Sequence, residues 1–406
     1  MKILFLDAYY EPERIAFTHL EKDLLQGLVN ARHEVEIICP TPTRGVSKEL
    51  SQKYRKIKNE TTHNGKVNIS RFYAPSERKN PILRALRYFW CNVRTYQIGK
   101  SRKDIDAVFA NSTPPTQGWI GGIIANRLNV PFIYSLQDVF PDSLVATGLA
   151  TQDSLLFKVG RKLEKSTYEK CHSIIVISNT IEGNLERKGV EKQKVHVVSN
   201  WIDIEEIEPV SRLDNKLFDE YGIDRNKFIV LYAGIIGSAQ GADIIIEVAK
   251  RLEENKGIQF VIFGGGSEYE LAKEKAHKLS NVIINPLLPQ ERISEVYSMG
   301  DVSIITCKKG VGMAGMPSKT WSIMACNTPI IASFDKNSEL ERILNEASCG
   351  VVVDPENCDA LLNEISKFYS SKKEEKTYGR EYVMKHASKD ACVSQYITIM
   401  EKSVVQ

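Results

Sequence analysis

The chain of 406 residues carries 54 lysines and arginines against 51 aspartates and glutamates, a formal net charge of +3, with 42% hydrophobic and 26% charged residues. This is the balance of a soluble globular protein, and it excludes a disordered, a collagen-like or a small disulfide-stapled chain. At roughly 150 residues per domain the length predicts two domains, and the absence of any 18-residue apolar run excludes a membrane-spanning helix.

Apolar runs of strand length recur along the chain, each followed by a segment of helical period. Residues 3–6 open it as a buried strand, not a secretory leader, and precede a helix over 18–30. Residues 35–39 end at Pro40. Residues 107–110 precede a helix over 119–128, 131–134 follow, 174–177 precede a helix over 179–188, and 195–198 come next. The second half repeats the pattern: 228–232 precede a helix over 243–253, 259–263 end in Gly264-Gly265-Gly266, and 282–284, 302–306, 329–332 and 350–353 are further strands. Such alternation predicts an α/β protein with two doubly wound, Rossmann-like domains. The polar stretch 200–226 reads as the boundary between them, and 382–401 reads as one helix. In this architecture ligands bind outside the carboxyl ends of the strands, here in a cleft between the domains.

Four loops follow strands and could carry chemistry. The segment 232–243 contains Gly234, Gly237, Ser238, Gln240 and Gly241 and opens a helix. Its glycines admit close approach of an anion, and a diphosphate would suit it; a tight turn that binds nothing is the plainer reading. Gly264-Gly265-Gly266-Ser267 leaves room for a nucleoside, or is a plain glycine turn. In 312–330, glycines give way to Pro317-Ser318-Lys319 at a helix start, where backbone N–H groups and the Lys319 ammonium form an anion clamp. In Gln137-Asp138-Val139-Phe140-Pro141-Asp142-Ser143, Asp138 is placed to orient a hydroxyl or accept its proton, or else caps a helix. The eight cysteines are nowhere closer than nine residues apart, so no zinc-ribbon or CxxC pair exists, and no histidines have metal-ligand spacing. The cysteines read as reduced, buried thiols.

The order and spacing of these motifs resemble the retaining glycosyltransferases of family 4, of the two-domain GT-B fold. The nearest likeness is to the bacterial subgroup of colanic-acid-type and N-acetyl-L-fucosaminyl transferases. Tyr9-Tyr10-Glu11-Pro12-Glu13, His33-Glu34-Val35, Gln137 to Ser143, Asn200-Trp201-Ile202-Asp203 and Pro317-Ser318-Lys319 carry the resemblance. It implies an acceptor-binding domain over 1–199, a donor-binding domain over 200–381, and a final helix over 382–406 packing back on the first. It implies catalysis at Asp138, Gln137 and Lys319 without metal or cofactor. The donor, a nucleotide-sugar of the UDP type, would meet Gly237, Ser238, Ser318 and Lys319 at its diphosphate and Gly265 and Leu287 at its nucleoside; Gly234, Gln240 and Pro317 complete the donor-binding set, and Ser322 offers the ribose a weaker contact than the family's glutamate. The acceptor would be a polyprenyl-diphosphate-linked saccharide of capsule, O-antigen or exopolysaccharide synthesis. This chain departs from the wider family at several places. The E-x7-E glutamates are Ala314 and Ser322, the Arg and Lys after the Gly234 strand are Ser238 and Gln240, and the His of the His-Asp pair is Gln137. Lys319 is the cation left to compensate.

Residues 41–103 hold sixteen lysines and arginines and three acids, a balance of +13 that leaves the rest of the chain at −10. Within 81–103, Ile82, Leu83, Leu86, Phe89, Trp90 and Val93 follow helical spacing, with Arg84, Arg87 and Arg94 between them. This pattern fits a helix lying on an anionic inner-membrane surface, or an ordinary helix with its stripe in the core; nucleic acid has no motif here. The expected location is cytoplasmic and peripheral on the inner face of the plasma membrane. Two other functions fit the same fold. One is a non-catalytic subunit supporting a partner transferase, suggested by the missing glutamates. The other is a UDP-sugar epimerase, which would need acid and base groups not identified here.

Overall fold

The computed structural model describes residues 1–13, 18–76, 80–146, 150–371 and 377–405, with the backbone alone at Pro81, Ile82, Ala146 and Ala314. It divides into two units, Met1–Asn200 with Cys392–Gln406, and Trp201–Ala391.

In the first unit the strands are Lys2–Leu6 (β1), Glu34–Pro40 (β2), Asn59–Thr62 (β3), Val67–Phe72 (β4), Ala107–Asn111 (β5), Phe132–Leu136 (β6), Ser173–Val176 (β7) and Val195–Val197 (β8). Their order is β3-β4-β2-β1-β5-β6-β7-β8. All pairs are parallel except β3 with β4. Ile3, Leu4, Phe5 and Leu6 are all buried, because helices cover both faces of β1. Phe5 and Phe109 of neighbouring strands stack at 4.5 Å between ring centroids, and full burial of such a ring contributes about 1.5–3 kcal/mol. Strands β3 and β4 lie inside the basic stretch, where only charge was read. Their signal is the alternation Val67, Asn68, Ile69, Ser70, with Val67 and Ile69 buried.

In the second unit the strands are Phe228–Ile235 (β9), Ile258–Gly265 (β10), Val282–Pro286 (β11), Val302–Thr306 (β12), Ile330–Ser333 (β13) and Gly350–Val353 (β14). Their order is β11-β10-β9-β12-β13-β14, all parallel. The chain leaves β9 toward β10 on one side and returns to β12 on the other. The crevice between the carboxyl ends of β9 and β12 is therefore the switch point of this sheet.

The division between the units falls at 200/201, at the start of the polar stretch 200–226. The rest of that stretch folds into the second unit: Arg212 pairs with Asp301 at 2.9 Å, Asn215 donates to the Glu295 carbonyl at 2.6 Å, and Leu217 and Phe218 are buried. Its polar side chains are internal fasteners of the second unit. The tail is two helices, Gly379–His386 and Lys389–Val405, broken where Ser388 bridges to Ile202. Gly379 packs against Met324, since a Cβ there would lie 3.1 Å from the Met324 carbonyl, so the first tail helix stays with the second unit. Only 392–406 joins the first, where the Tyr396 and Ser135 hydroxyls lie 3.1 Å apart. All eight cysteines are free thiols, and seven of them are buried. Among the described residues no helix is long and apolar enough to cross a membrane.

Candidate active site

The switch point of the second unit opens into a cavity of about 520 Å³. Its walls are the end of β9 (Ala233, Gly234, Ile235), the end of β12 (Thr306, Cys307), and the run from Gly315 to Lys319. Lys319 begins the helix Lys319–Ala325 and reaches back under the β9 loop. Its Nζ donates to the Ala233 carbonyl at 3.2 Å and sits 4.1 Å from the centroid of the Tyr232 ring. Gly234 makes this possible: its φ is +151°, and a Cβ there would stand 3.0 Å from the ammonium. No carboxylate among the described residues pairs with Lys319. Burial without a counter-charge pulls its pKa down to about 7.

The surrounding loops are held by backbone bonds. Ile236 N–H donates to the Gly265 carbonyl at 2.7 Å, Glu268 N–H to Ile236 at 3.0 Å, and Leu287 N–H to Gly264 at 2.9 Å. The 234–241 and 264–268 loops are thus one layer. Gln240 Oε1 folds over Gly237, 3.1 Å from where a Cβ would stand. Leu287 lies over Gly265 at 3.2 Å by the same measure. Asp335, directly after β13, accepts from Gly310 N at 2.9 Å and Gly312 N at 2.8 Å. The Tyr232 hydroxyl donates to the Ile235 carbonyl at 2.6 Å.

Gly234, Gln240, Pro317, Ser318 and Lys319 therefore share one cavity wall. Gly237, Ser238, Gly265 and Leu287 lie on the same loop layer outside that wall. Ser322 is different: it is buried within its helix and lines no part of the cavity. The side chain of Ala314 lies outside the described residues. Sequence reasoning missed Tyr232 as the ring beneath the ammonium, and Asp335 as the brace of the 310–312 turn. Asp335 had a legible signal, an acid at the carboxyl end of a strand.

Gln137 and Asp138 follow β6 in the first unit. Gln137 accepts no charge partner; its N–H donates to Ser112 Oγ at 3.0 Å and its side chain to Ser135 Oγ at 3.4 Å. Asp138 is exposed. The turn after it is clamped: Asp142 pairs with Lys188 at 2.8 Å, and Gly160 lets Phe140 and Pro141 lie against the helix Leu155–Lys170.

The helix Pro81–Gly99 is inverted over its first half, while Cys91, Tyr96 and Ile98 in its second half pack into the core. It buries Arg87, Asn92 and Thr95 and exposes Leu83, Leu86, Phe89 and Trp90, with Phe89 68% exposed. Arg87, expected among the surface cations, is a correction. Its Nε donates to the Pro75 carbonyl at 3.0 Å and its Nη2 to Thr43 Oγ1 at 3.2 Å, and its guanidinium lies 5.6 Å from the Tyr9 ring centroid. Burial with two acceptors makes it a structural fastener. Arg84 is exposed, and half-buried Arg94 bonds Gln97 at 2.8 Å. Trp90 Nε1 donates to the Tyr73 carbonyl at 2.9 Å, so its ring is held at the surface.

Two doubly wound parallel sheets, the second with its glycine-walled switch-point cavity, place the chain in the two-domain GT-B class of α/β proteins. Residues 22–206 match the family model Glycosyltransferase Family 4, and residues 214–382 match Glycosyl transferases group 1. The chain belongs to this glycosyltransferase family. It is 25% identical over 302 residues to a probable glycosyltransferase, WbjE, of Pseudomonas aeruginosa, covering 73% of this chain and 74% of that one. It is 26% identical over 280 residues to WcaI of Escherichia coli, described as a putative colanic acid biosynthesis glycosyl transferase, covering 68% and 69%. Among solved structures, HepE of Anabaena superposes with a TM-score of 0.70 at 17% identity over 99% of this chain and 100% of that one. The sucrose-phosphate synthase of Thermosynechococcus elongatus gives 0.72 at 16% identity over 99% and 98%.

The position of Lys319 would make the binding of any anion in this cavity depend on pH. A diphosphate beside the amine favours its charged form. Above pH 7, where the free protein holds the amine neutral, binding takes up a proton. The affinity for such an anion, probed with UDP or with inorganic diphosphate, would be flat with respect to this group below pH 7 and fall by up to about tenfold per pH unit above it. Calorimetry at pH 7 to 9 in buffers of different ionisation heat checks this; an affinity independent of pH, with no proton uptake, would contradict it.

Proposed function

We propose that this glycosyltransferase moves a sugar from a UDP-sugar to a lipid-linked saccharide in surface polysaccharide synthesis, with retention of configuration and without a metal. The observation that carries the reading is Lys319 at the β9/β12 switch point, a half-buried amine that lines the cavity and has no carboxylate partner among the described residues. HepE, of the same fold, was solved with UDP and with UDP-glucose, and the description of WcaI is that of a putative colanic acid biosynthesis glycosyl transferase.

In this reading the diphosphate lies along Gly234, Gln240, Ser318 and Lys319. The bond from the anomeric carbon to the phosphate oxygen breaks, and the acceptor oxygen bonds to the same face. The acceptor proton passes to the leaving phosphate. Lys319 meets the charge that grows on that phosphate, and Asp138 with Gln137 orients acceptor and sugar. The exposed apolar residues of Pro81–Gly99, with Arg55 lying over the ring of Tyr73, whose carbonyl accepts from Trp90, and the exposed Lys53, Lys56 and Lys58 of the same chain segment as Arg55, support a seat on an anionic inner-membrane surface near a polyprenyl-linked acceptor.

A thermal-shift panel of nucleotide-sugars tests the donor class, because the true donor stabilises by mass action. UDP-sugars are expected to raise the melting temperature and GDP- or CMP-sugars not to. With the donor so found, Asp138→Asn is expected to lower turnover on the order of a hundredfold while leaving donor affinity within about twofold. No response to any uridine nucleotide would sink the reading in favour of a non-catalytic subunit.

A further inference from the structure

The first unit carries three crossover helices that advance the same way across its sheet. Pro81–Gly99 joins β4 to β5, Thr116–Leu128 joins β5 to β6, and Leu155–Lys170 joins β6 to β7. Right-handed crossovers advancing in one direction lie on one face of a parallel sheet. The packing agrees: Gly99 meets Ile124, Gly118 meets Thr167, and Gly122 meets Lys170. The three helices form one layer, and all begin at the carboxyl edge of the strands.

Large exposed apolar side chains occur on all three, and among the described residues only in their first halves. Besides the four on Pro81–Gly99 there is Trp119, the fourth residue of its helix, and Leu155, Leu156 and Val159 in the first five residues of theirs. Leu155 is 78% exposed. This is not a helix short of core residues. Leu155–Lys170 buries Gly160, Glu164, Thr167 and Tyr168 against its neighbours and shows its aliphatic residues to solvent. Lys158 and Lys162 are exposed between and beyond those aliphatics, and neither forms an ion pair among the described residues.

We propose that the unit docks on an anionic bilayer through this whole rim, with the first turns of Leu155–Lys170 as a second insertion point beside Pro81–Gly99. The inference rests on the membrane seat proposed above and adds to it the residues that fix the orientation. One inserted helix can pivot about its own axis. Insertion at both sides of Thr116–Leu128 cannot, and it holds the carboxyl edge of the sheet, where Gln137 and Asp138 lie, toward the lipid surface. A bilayer fits better than a protein partner because the apolar groups are spread over three parallel helix ends. The exposed charges on the apolar-bearing turns themselves, Arg84, Lys158 and Lys162, are cationic, the complement of acidic headgroups, and Asp153, in the turn just before Leu155, is the exposed acid beside them.

The test is sedimentation of the full chain with vesicles of phosphatidylglycerol and phosphatidylcholine, and with phosphatidylcholine alone. Two variants are compared: Leu155→Ser with Leu156→Ser and Val159→Ser, and Leu86→Ser with Phe89→Ser. UDP-induced thermal shift in each variant confirms that it is folded. The expected result is binding to the anionic vesicles, weakened at least tenfold by each variant and by high salt. If the Leu86/Phe89 variant loses binding and the Leu155 variant keeps it, the second insertion point is overturned while the membrane seat stands. Wild-type chain that binds no vesicle removes both. Wild-type dimers that become monomers in the Leu155 variant on gel filtration, without lipid binding, would overturn the proposal in favour of self-association.

Discussion

Lys319→Met is expected to raise the melting temperature of the ligand-free protein and to abolish its stabilisation by UDP. The two effects have one cause. Burial lowers the Lys319 pKa from 10.5 to about 7, so the unfolded chain binds a proton that the folded chain holds weakly. A lysine shifted downward destabilises the fold most at low pH, and stability rises as pH climbs from 7 toward 10.5. At pH 7 the cost is on the order of 3–4 kcal/mol, of which the lost bond to the Ala233 carbonyl returns about 1. Methionine fills the same space without charge. A gain of roughly 2–3 kcal/mol corresponds to about 5–10 °C for a unit of this size. On the proposed donor site the same substitution would leave a diphosphate without its cation, and UDP affinity is expected to fall by about a hundredfold, the worth of a charge-assisted hydrogen bond. Thermal melts with and without UDP, at pH 7 and pH 9.5, measure all of this. A Met variant less stable than wild type at pH 7 would show that the ammonium is not desolvated.

Gly266→Ala is expected to cost about 3 kcal/mol and to remove UDP binding together with stability. Gly266 sits at φ +125°, a conformation that side chains rarely adopt. A Cβ there would stand 2.7 Å from the Ile236 carbonyl oxygen. That backbone cannot yield, because Ile236 is bonded on both sides, to Gly265 and to Glu268. Relief requires separating the 234–241 loop from the 264–268 loop, and with it the donor-side layer. Gly183→Ala is the control. It lies in the helix Asn179–Arg187 with only the tip of Arg187 within 4 Å, and should stabilise by about 0.5–1 kcal/mol. Urea melts of both variants decide the matter; equal stabilities would mean that the two loops are not coupled.

Much of the fold was legible because doubly covered strands leave continuous apolar runs. β1, β5, β9 and β12 stand out by composition alone, and the glycines that follow β9 and β10 mark the turns they make. β4 was missed because its alternation is hidden among lysines and arginines, which draw the reading toward charge. The break in the tail was missed because residues 382–401 keep a helical period through it; what ends the first helix is the bridge from Ser388 to Ile202, a contact 186 residues away in sequence. Arg87 could not be told from Arg84 by spacing. They lie three residues apart on one helix, and the difference is that Pro75 and Thr43 wait for one of them.

The opening balance of +3 conceals a basic N-terminal stretch, and by itself the sequence determined that stretch, the two α/β domains, the glycine loops and the family. Each is a property of residue type and order, which local propensity and period express without distant contacts. The tertiary structure alone decided which charges face a cavity and which are taken up inside the fold. It sank Lys319 beneath Gly234 with no acid beside it, spent Arg87 and Arg71 on internal carbonyls, and left Phe89 and Leu155 in solvent. Those outcomes depend on which groups meet after the strands have paired, and a charge or a methyl group has its energetic value only once its neighbours are in place.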